Sequence, residues 1–206
     1  MPYLSGYQIL PRFKNDFITT IAPCPIPYNA PYTENFNSWN AGIGNSSAKD
    51  DFGSCWSVNL NDRSEGYFWT VGQFNTTSLN SGPGYDISPG GTGKYLYTEC
   101  TRDSPNQTIL SSPYVTTSSL VNPSLFFWYS NIGNEGVSLS LKVRVKNGSL
   151  TNVWTSSAKT NGWVPVIVSL SAYQGDTIQL SFEATRSLGS SHTSDIAIDN
   201  ISLIEG

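Results

Sequence analysis

Leu139-Ser140-Leu141-Lys142-Val143-Arg144-Val145-Lys146 decides the fold class, because aliphatic side chains alternate strictly with polar or cationic ones. A period of two places the two sets on opposite faces of an extended strand, one face in a core and the other in water. Ile178, Leu180, Phe182 and Ala184 repeat the pattern against Gln179, Ser181 and Glu183. The basic stripe Lys142, Arg144 and Lys146 therefore reads as a solvated strand face. Leu125-Phe126-Phe127-Trp128-Tyr129 is apolar throughout and is expected to be a central strand covered on both sides. Val164 to Leu170 is similar, with Pro165 moving it toward an edge or a strand start. Turn signals separate these runs: Gly82-Pro83-Gly84, Pro89-Gly90-Gly91, Gly133 to Gly136, Asn147-Gly148 and Asn161-Gly162. Many short strands without a convincing helix predict an all-β fold, a two-sheet antiparallel jelly-roll sandwich. Its expected core holds Phe36, Trp56, Leu125, Phe127, Trp128, Leu141, Val143, Leu180, Phe182 and Ile198.

Working outward, the composition agrees. The chain has 206 residues, only 13% charged, with 18 Gly, 12 Pro and 26 aromatic residues, enough to build one core. Its 30 Ser and 18 Thr suit strands and turns better than long helices. A net charge of −4 gives no electrostatic support to nucleic-acid binding. No stretch reaches 18 apolar residues, so no helical membrane insertion is expected.

The three cysteines, Cys24, Cys55 and Cys100, cannot all pair within one chain and lack zinc-site spacing. A Cys24–Cys55 bridge with Cys100 left over is the expectation; three reduced thiols behaving as small apolar residues is the alternative. Catalytic signatures fail one by one. Ser88-Pro89-Gly90-Gly91-Thr92-Gly93-Lys94-Tyr95 lacks both the first glycine and the final hydroxyl residue of a phosphate loop. His192, the one histidine, lies in a polar Ser-rich run without a nucleophile elbow and is expected to be an exposed loop residue. No pair of acids is marked by context for glycoside hydrolysis. The acids that bracket the domain do stand out. Terminal strands of a jelly roll often lie side by side, which would bring Glu34 or Asn37 near Asp199, with Asp62 in a polar loop. Such oxygen-only ligands suit a hard cation, so a structural Ca²⁺ held by Glu34, Asn37, Asp62 and Asp199 is expected. The alternative is that Asp199 only ends a strand.

An ordered series of landmarks runs from about residue 32 to 204: Asn35-Phe36-Asn37, Cys55-Trp56, Tyr67-Phe68-Trp69, Asp86-Ile87-Ser88 with Gly93-Lys94-Tyr95, and Leu110-Ser111-Ser112-Pro113. Leu125 to Tyr129 with Gly133, Gly136 to Leu139, Trp154, Trp163 and Ile196-Ala197-Ile198-Asp199-Asn200-Ile201 complete it. Together these resemble a MAM domain, the concanavalin-like module named after meprin, the A5 protein and receptor tyrosine phosphatase mu. Asn37 stands where the family has Glu, Asn200 replaces the second Asp of the closing pair, and the first of four usual cysteines is displaced to Cys24. The form Cys-Pro-x-Pro onward also resembles MAM-type and cleaved-adhesin-type modules in secreted multidomain Bacteroidetes proteins. There such modules often follow a fibronectin type III module whose end is similar to Phe17-Ile18-Thr19-Thr20. The resemblance thus implies that residues 1–22 are a linker or the tail of a preceding module and that 23–206 are the MAM-like domain. It further implies a non-catalytic extracellular adhesion or interaction module of a larger secreted or cell-surface protein, its partner another protein or a cell-surface glycan. The alternative is a carbohydrate-binding module attached to a secreted enzyme, for which Trp39, Trp154 and Trp163 are the aromatics to stack on sugar rings.

Overall fold

The computed structural model describes residues 24, 27–40, 55–58, 66–100, 106–133, 136–187, 193 and 195–206. The first sheet contains β1 (Tyr28–Asn29), β3 (Ser57–Val58), β6 (Gln107–Thr116), β8 (Val137–Val145), β9 (Leu150–Ser156) and β11 (Thr177–Arg186). Its order is β1-β6-β11-β8-β9, with β3 also paired to β6. The second sheet contains β2 (Tyr32–Glu34), β4 (Tyr67–Gly72), β5 (Tyr95–Cys100), β7 (Pro123–Ser130), β10 (Val164–Ser169) and β12 (Ala197–Glu205). Its order is β10-β7-β12-β5-β4, with β2 on β12. Pairing is antiparallel except for the two-residue β1, which runs parallel to β6. A three-residue 3-10 turn, Ser171–Tyr173, is the one helical element among the described residues.

Alternation builds the core. In β8 and β11 the inward Leu139, Leu141, Ile178, Leu180, Phe182 and Ala184 are fully buried, while the outward set stays polar. Phe182 meets Phe127 edge-to-face across the sheets at 5.3 Å. Each such side chain contributes roughly 1.5–3 kcal/mol by leaving water.

Trp128 corrects the expected core. Strand β7 alternates, with Leu125, Phe127 and Tyr129 inward and Phe126 and Trp128 half-buried on the outer face. The run is apolar on both faces, but only one face is covered by the other sheet. Phe126 and Trp128 shield each other edge-on at 5.8 Å instead. Next to them, β10 is the edge strand: Pro165 pairs with Trp128, and Ile167, 71% exposed, pairs with Phe126. Strands β4 and β5 depart in the opposite direction, being buried on both faces. The segment 73–94 crosses their outer side, with the Tyr95 hydroxyl donating to the Phe74 carbonyl and Thr77 bonded to Tyr97.

The terminal strands do lie side by side. Strand β2 pairs with β12, Glu34 opposite Ile201 and Tyr32 opposite Leu203. That pairing carries the β2 turn to the end of the sheet where Asp199 sits.

Candidate functional site

The turn after β2 is built around a buried aromatic. Phe36 has φ +58° and no exposure, a backbone conformation that side chains of this size rarely adopt. Packing compensates: Phe36, Trp39 and Trp56 form an edge-to-face trio with centroids 4.9, 6.0 and 5.6 Å apart. Glu34 holds the turn, its Oε1 accepting the Phe36 N–H at 2.8 Å. Burial pushes the Glu34 carboxyl above its ordinary range, against the pull of that N–H. Asn37 is thereby presented to the 86–94 loop, where its Oδ1 accepts the Lys94 N–H at 2.6 Å. The Lys94 ammonium reaches back to the Trp39 carbonyl.

Asp86 organises that loop. Its Oδ1 accepts from Gly93 N–H at 2.9 Å, and its Oδ2 accepts from the Ser88 N–H at 3.0 Å and from the Ser88 hydroxyl. Asp199, at the irregularity where β12 shifts register against β7, accepts from Ile87 N–H at 3.0 Å and Asn200 N–H at 2.7 Å. A Cβ at position 93 would lie 2.4 Å from both the Asn37 Oδ1 and an Asp86 carboxylate oxygen, so only glycine lets these oxygens converge. Asp86 and Asp199 are 2% and 1% exposed. Burial, with the Asp86 charge adding to it, pushes the Asp199 carboxyl up to about 7 despite its two N–H donors.

The structure therefore brings Asn37 and Asp199 to one loop and joins them through Asp86. Glu34 is spent on the β2 turn, and Asp62 lies outside the described residues. Sequence reasoning left Asp86 out of the ligand set; its signal is the Asp-x-Ser turn followed by Gly93. Among the described residues no three His, Cys, Asp or Glu side chains gather as a metal-binding group. The oxygen cradle consists of two carboxylates and one amide.

A second pair of buried acids lies under segment 73–94. Asp195 is 1% exposed and Glu99 6%. Ser81 donates to Asp195 Oδ2 at 2.6 Å, and Tyr97 donates to Glu99 at 3.3 Å. Burial, then the Glu99 charge, pushes Asp195 up to about 7. Such a shift can mark an acid–base residue, but at this exposure a substrate reaches neither carboxyl while segment 73–94 is in place.

Cys24 and Cys55 form a disulfide with Cα atoms 5.4 Å apart; Cys100 is a buried thiol of β5 outside that bridge. His192 lies outside the described residues. The three tryptophans named for sugar stacking are not a coplanar surface set. Trp39 is 1% exposed inside the aromatic trio, which removes it from the list. Trp154, half-buried on the edge strand β9, stands edge-on to Phe127 and Tyr129 of the core. Trp163 is half-buried against Tyr95, with its Nε1 donating to the Tyr85 carbonyl. Size and hydrophobicity suit such rings to packing as well as to stacking, and sequence position does not distinguish the two uses.

Residues 50–206 match the family model of the MAM domain, meprin/A5/mu. The human MAM domain-containing glycosylphosphatidylinositol anchor protein 1 (Homo sapiens) is 32% identical over 85% of this chain and 18% of its own length. The chicken protein of the same name (Gallus gallus) is 31% identical over 71% of this chain and 16% of its own. The chain thus spans less than a fifth of these curated relatives. Among solved structures, the K1 cleaved adhesin domain of Lys-gingipain from Porphyromonas gingivalis superposes with TM-score 0.54 at 12% identity, covering 85% of this chain and 98% of that one. An exo-β-agarase superposes with TM-score 0.53 at 12% identity, over 75% of this chain and 24% of the enzyme. At such identities the likeness is one of fold.

Proposed function

The chain belongs to the MAM family, and from that premise we propose that it is a non-catalytic extracellular module for adhesion or interaction within a larger secreted or cell-surface protein. The observation that carries this reading is where the unusual chemistry lies. All four acids that organise the two clusters, Asp86, Asp199, Asp195 and Glu99, are no more than 6% exposed, and they serve loop architecture. The surface instead offers apolar side chains suited to contact, such as Phe74 and Tyr85 at 57% and 52% exposure on segment 73–94 and Ile167 on β10. The Cys24–Cys55 bridge supports an oxidising compartment, and no helix among the described residues is long and apolar enough to cross a membrane. The test is to coat beads with the folded chain and measure attachment to cell layers against beads bearing reduced, unfolded chain. Attachment above that control is expected. Equal attachment, or turnover of glycan or peptide substrates by the isolated chain, overturns the proposal.

The proposal includes a structural calcium ion in the cradle of Asn37, Asp86 and Asp199. All three side chains offer oxygen, the ligand atom a hard cation takes, and they accept hydrogen bonds from backbone N–H groups and the Ser88 hydroxyl. A cation would relieve the like-charge repulsion that helps to raise Asp199 and would fasten the β2 turn and the 86–94 loop to the last strand. Ion binding to the folded state alone stabilises it by roughly 2.7 kcal/mol at a hundredfold excess over Kd. Thermal melting in excess calcium and then in chelator measures this; an unchanged Tm leaves Asp199 as a loop anchor only.

A further inference from the structure

The outer face of the first sheet is polar and recessed. Its outward residues on β8 and β11, from Ser138 to Arg144 and from Gln179 to Thr185, are half-buried or buried, although no second layer is needed to complete the sandwich there. The side chains of Lys142 and Glu183, paired at 2.7 Å, are only 26% and 11% exposed. Ser181, at the middle of the face, is 2% exposed. The hydroxyls bond across strands in pairs: Ser111 with Ser181 at 3.2 Å, Ser138 with Thr185 at 2.7 Å, and Ser140 with Thr155 at 2.9 Å. A hydroxyl has one donor and two acceptor sites, so the Ser138–Thr185 pair keeps one donor and several lone pairs for a ligand, whereas Thr155 also bonds Asn152 and Ser181 is covered.

At the end of this face, where β6 and β8 begin and β9 and β11 end, the surface opens into a cleft of about 750 Å³ lined by Asn106, Ser138, Ser157, Lys159, Thr185 and Ser187. That volume falls in the range of ligand sites, but the lining is polar where most such sites are apolar. A hydroxyl-rich ligand matches it, whereas a protein partner anchored by aromatic side chains finds no pocket of the kind it needs. Charge narrows the class. Lys142, Arg144, Lys159 and Arg186 lie on the face and cleft, where Glu183 pairs with Lys142, in a chain whose net charge is −4.

We propose that this face and its terminal cleft bind an acidic oligosaccharide, its hydroxyls on the paired Ser and Thr side chains and its anionic group at Lys159. The inference rests on the interaction-module reading and names the ligand class for it. The experiment is calorimetric titration of the intact chain with three tetrasaccharides: one of galacturonic acid, one sulfated, and one of neutral galactose. At least one acidic tetramer is expected to bind with Kd below about 1 mM, more tightly than the neutral one and less tightly as salt rises. Lys159→Glu is expected to weaken it about tenfold or more, and Ser138→Ala/Thr185→Ala to weaken it without lowering Tm. Whichever acidic tetramer binds identifies carboxylate or sulfate as the recognised group. Neutral sugar binding as well as acidic, no binding of any tetramer, or Lys159→Glu binding like the parent each overturns the proposal. Cell attachment by coated beads alongside no sugar binding would sink this inference alone.

Discussion

Replacing Cys24 and Cys55 together by serine removes a cross-link that spans 31 positions of the chain. In the chain-entropy description, a loop of that length restricts the unfolded ensemble by about 12 cal/mol/K, or about 4 kcal/mol at 25 °C. The bridge also serves native contacts. Cys55 has φ +81° and immediately precedes Trp56, whose indole N–H donates to the Tyr32 hydroxyl at 2.8 Å. The Tyr28 hydroxyl in turn contacts the Cys55 sulfur at 3.7 Å. Loss of the link therefore loosens β1, β2 and the aromatic trio together. For a domain of this size about 4 kcal/mol corresponds to a fall in Tm of about 10 °C. Urea unfolding followed by tryptophan fluorescence is the suitable assay, since Trp39 and Trp56 lie beside the bridge. The midpoint is expected to fall, with Cys100 left in place in both proteins. A loss below about 1 kcal/mol, with the bridge verified in the parent, would refute the reasoning.

Three further outcomes follow from side-chain environments. Asp195 has a folded pKa of about 7 against an ordinary 3.8, so the folded state holds its proton more tightly. Its contribution is most favourable below the unfolded value and is lost as pH rises through the window to about 7. Asp195→Asn should flatten the stability–pH curve across that window and be more stable than the parent at pH 8; a curve parallel to the parent's would contradict this. Gly93→Ala forces a methyl group between Asn37 and Asp86 and should cost about 1–3 kcal/mol by chemical denaturation, whereas a neutral effect would mean that the loop yields freely. Phe127→Ala, in the core, should cost about 3–5 kcal/mol, and Trp128→Ala distinctly less; equal losses would restore Trp128 to the core.

The strands that were legible in sequence are those whose two faces see different solvents. Strands β8 and β11 alternate because one side is packed and the other wet, so their spacing alone orients them. Strand β7 defeated the same reasoning. Its outward Phe126 and Trp128 are apolar, and periodicity cannot distinguish an apolar outer face from a second covering layer. The double burial of β4 and β5 was equally hidden, because it comes from segment 73–94 folding over them. The oxygen cradle was half legible. Adjacent terminal strands pointed to Asn37 and Asp199, but Asp86 gains its role through hydrogen bonds local to the loop, while Asp199 reaches Ile87 across 112 positions of sequence. Such a contact exists only after the sheet has formed. The acid pair of Asp195 and Glu99 has no spacing signal at all, since it depends on a loop covering a strand.

The proposed role of this domain is binding at its surface, without catalysis. Copy number tests it most directly. One copy and three linked copies of the chain, carried on the same inert protein, are titrated onto the same cell layer, and turnover of glycan and peptide substrates is measured in parallel. A binding module gains avidity through effective concentration, so the three-copy form should bind about a hundredfold more tightly or better, with no turnover in either form. Turnover that rises in simple proportion to copy number, with apparent affinity unchanged, would contradict the account.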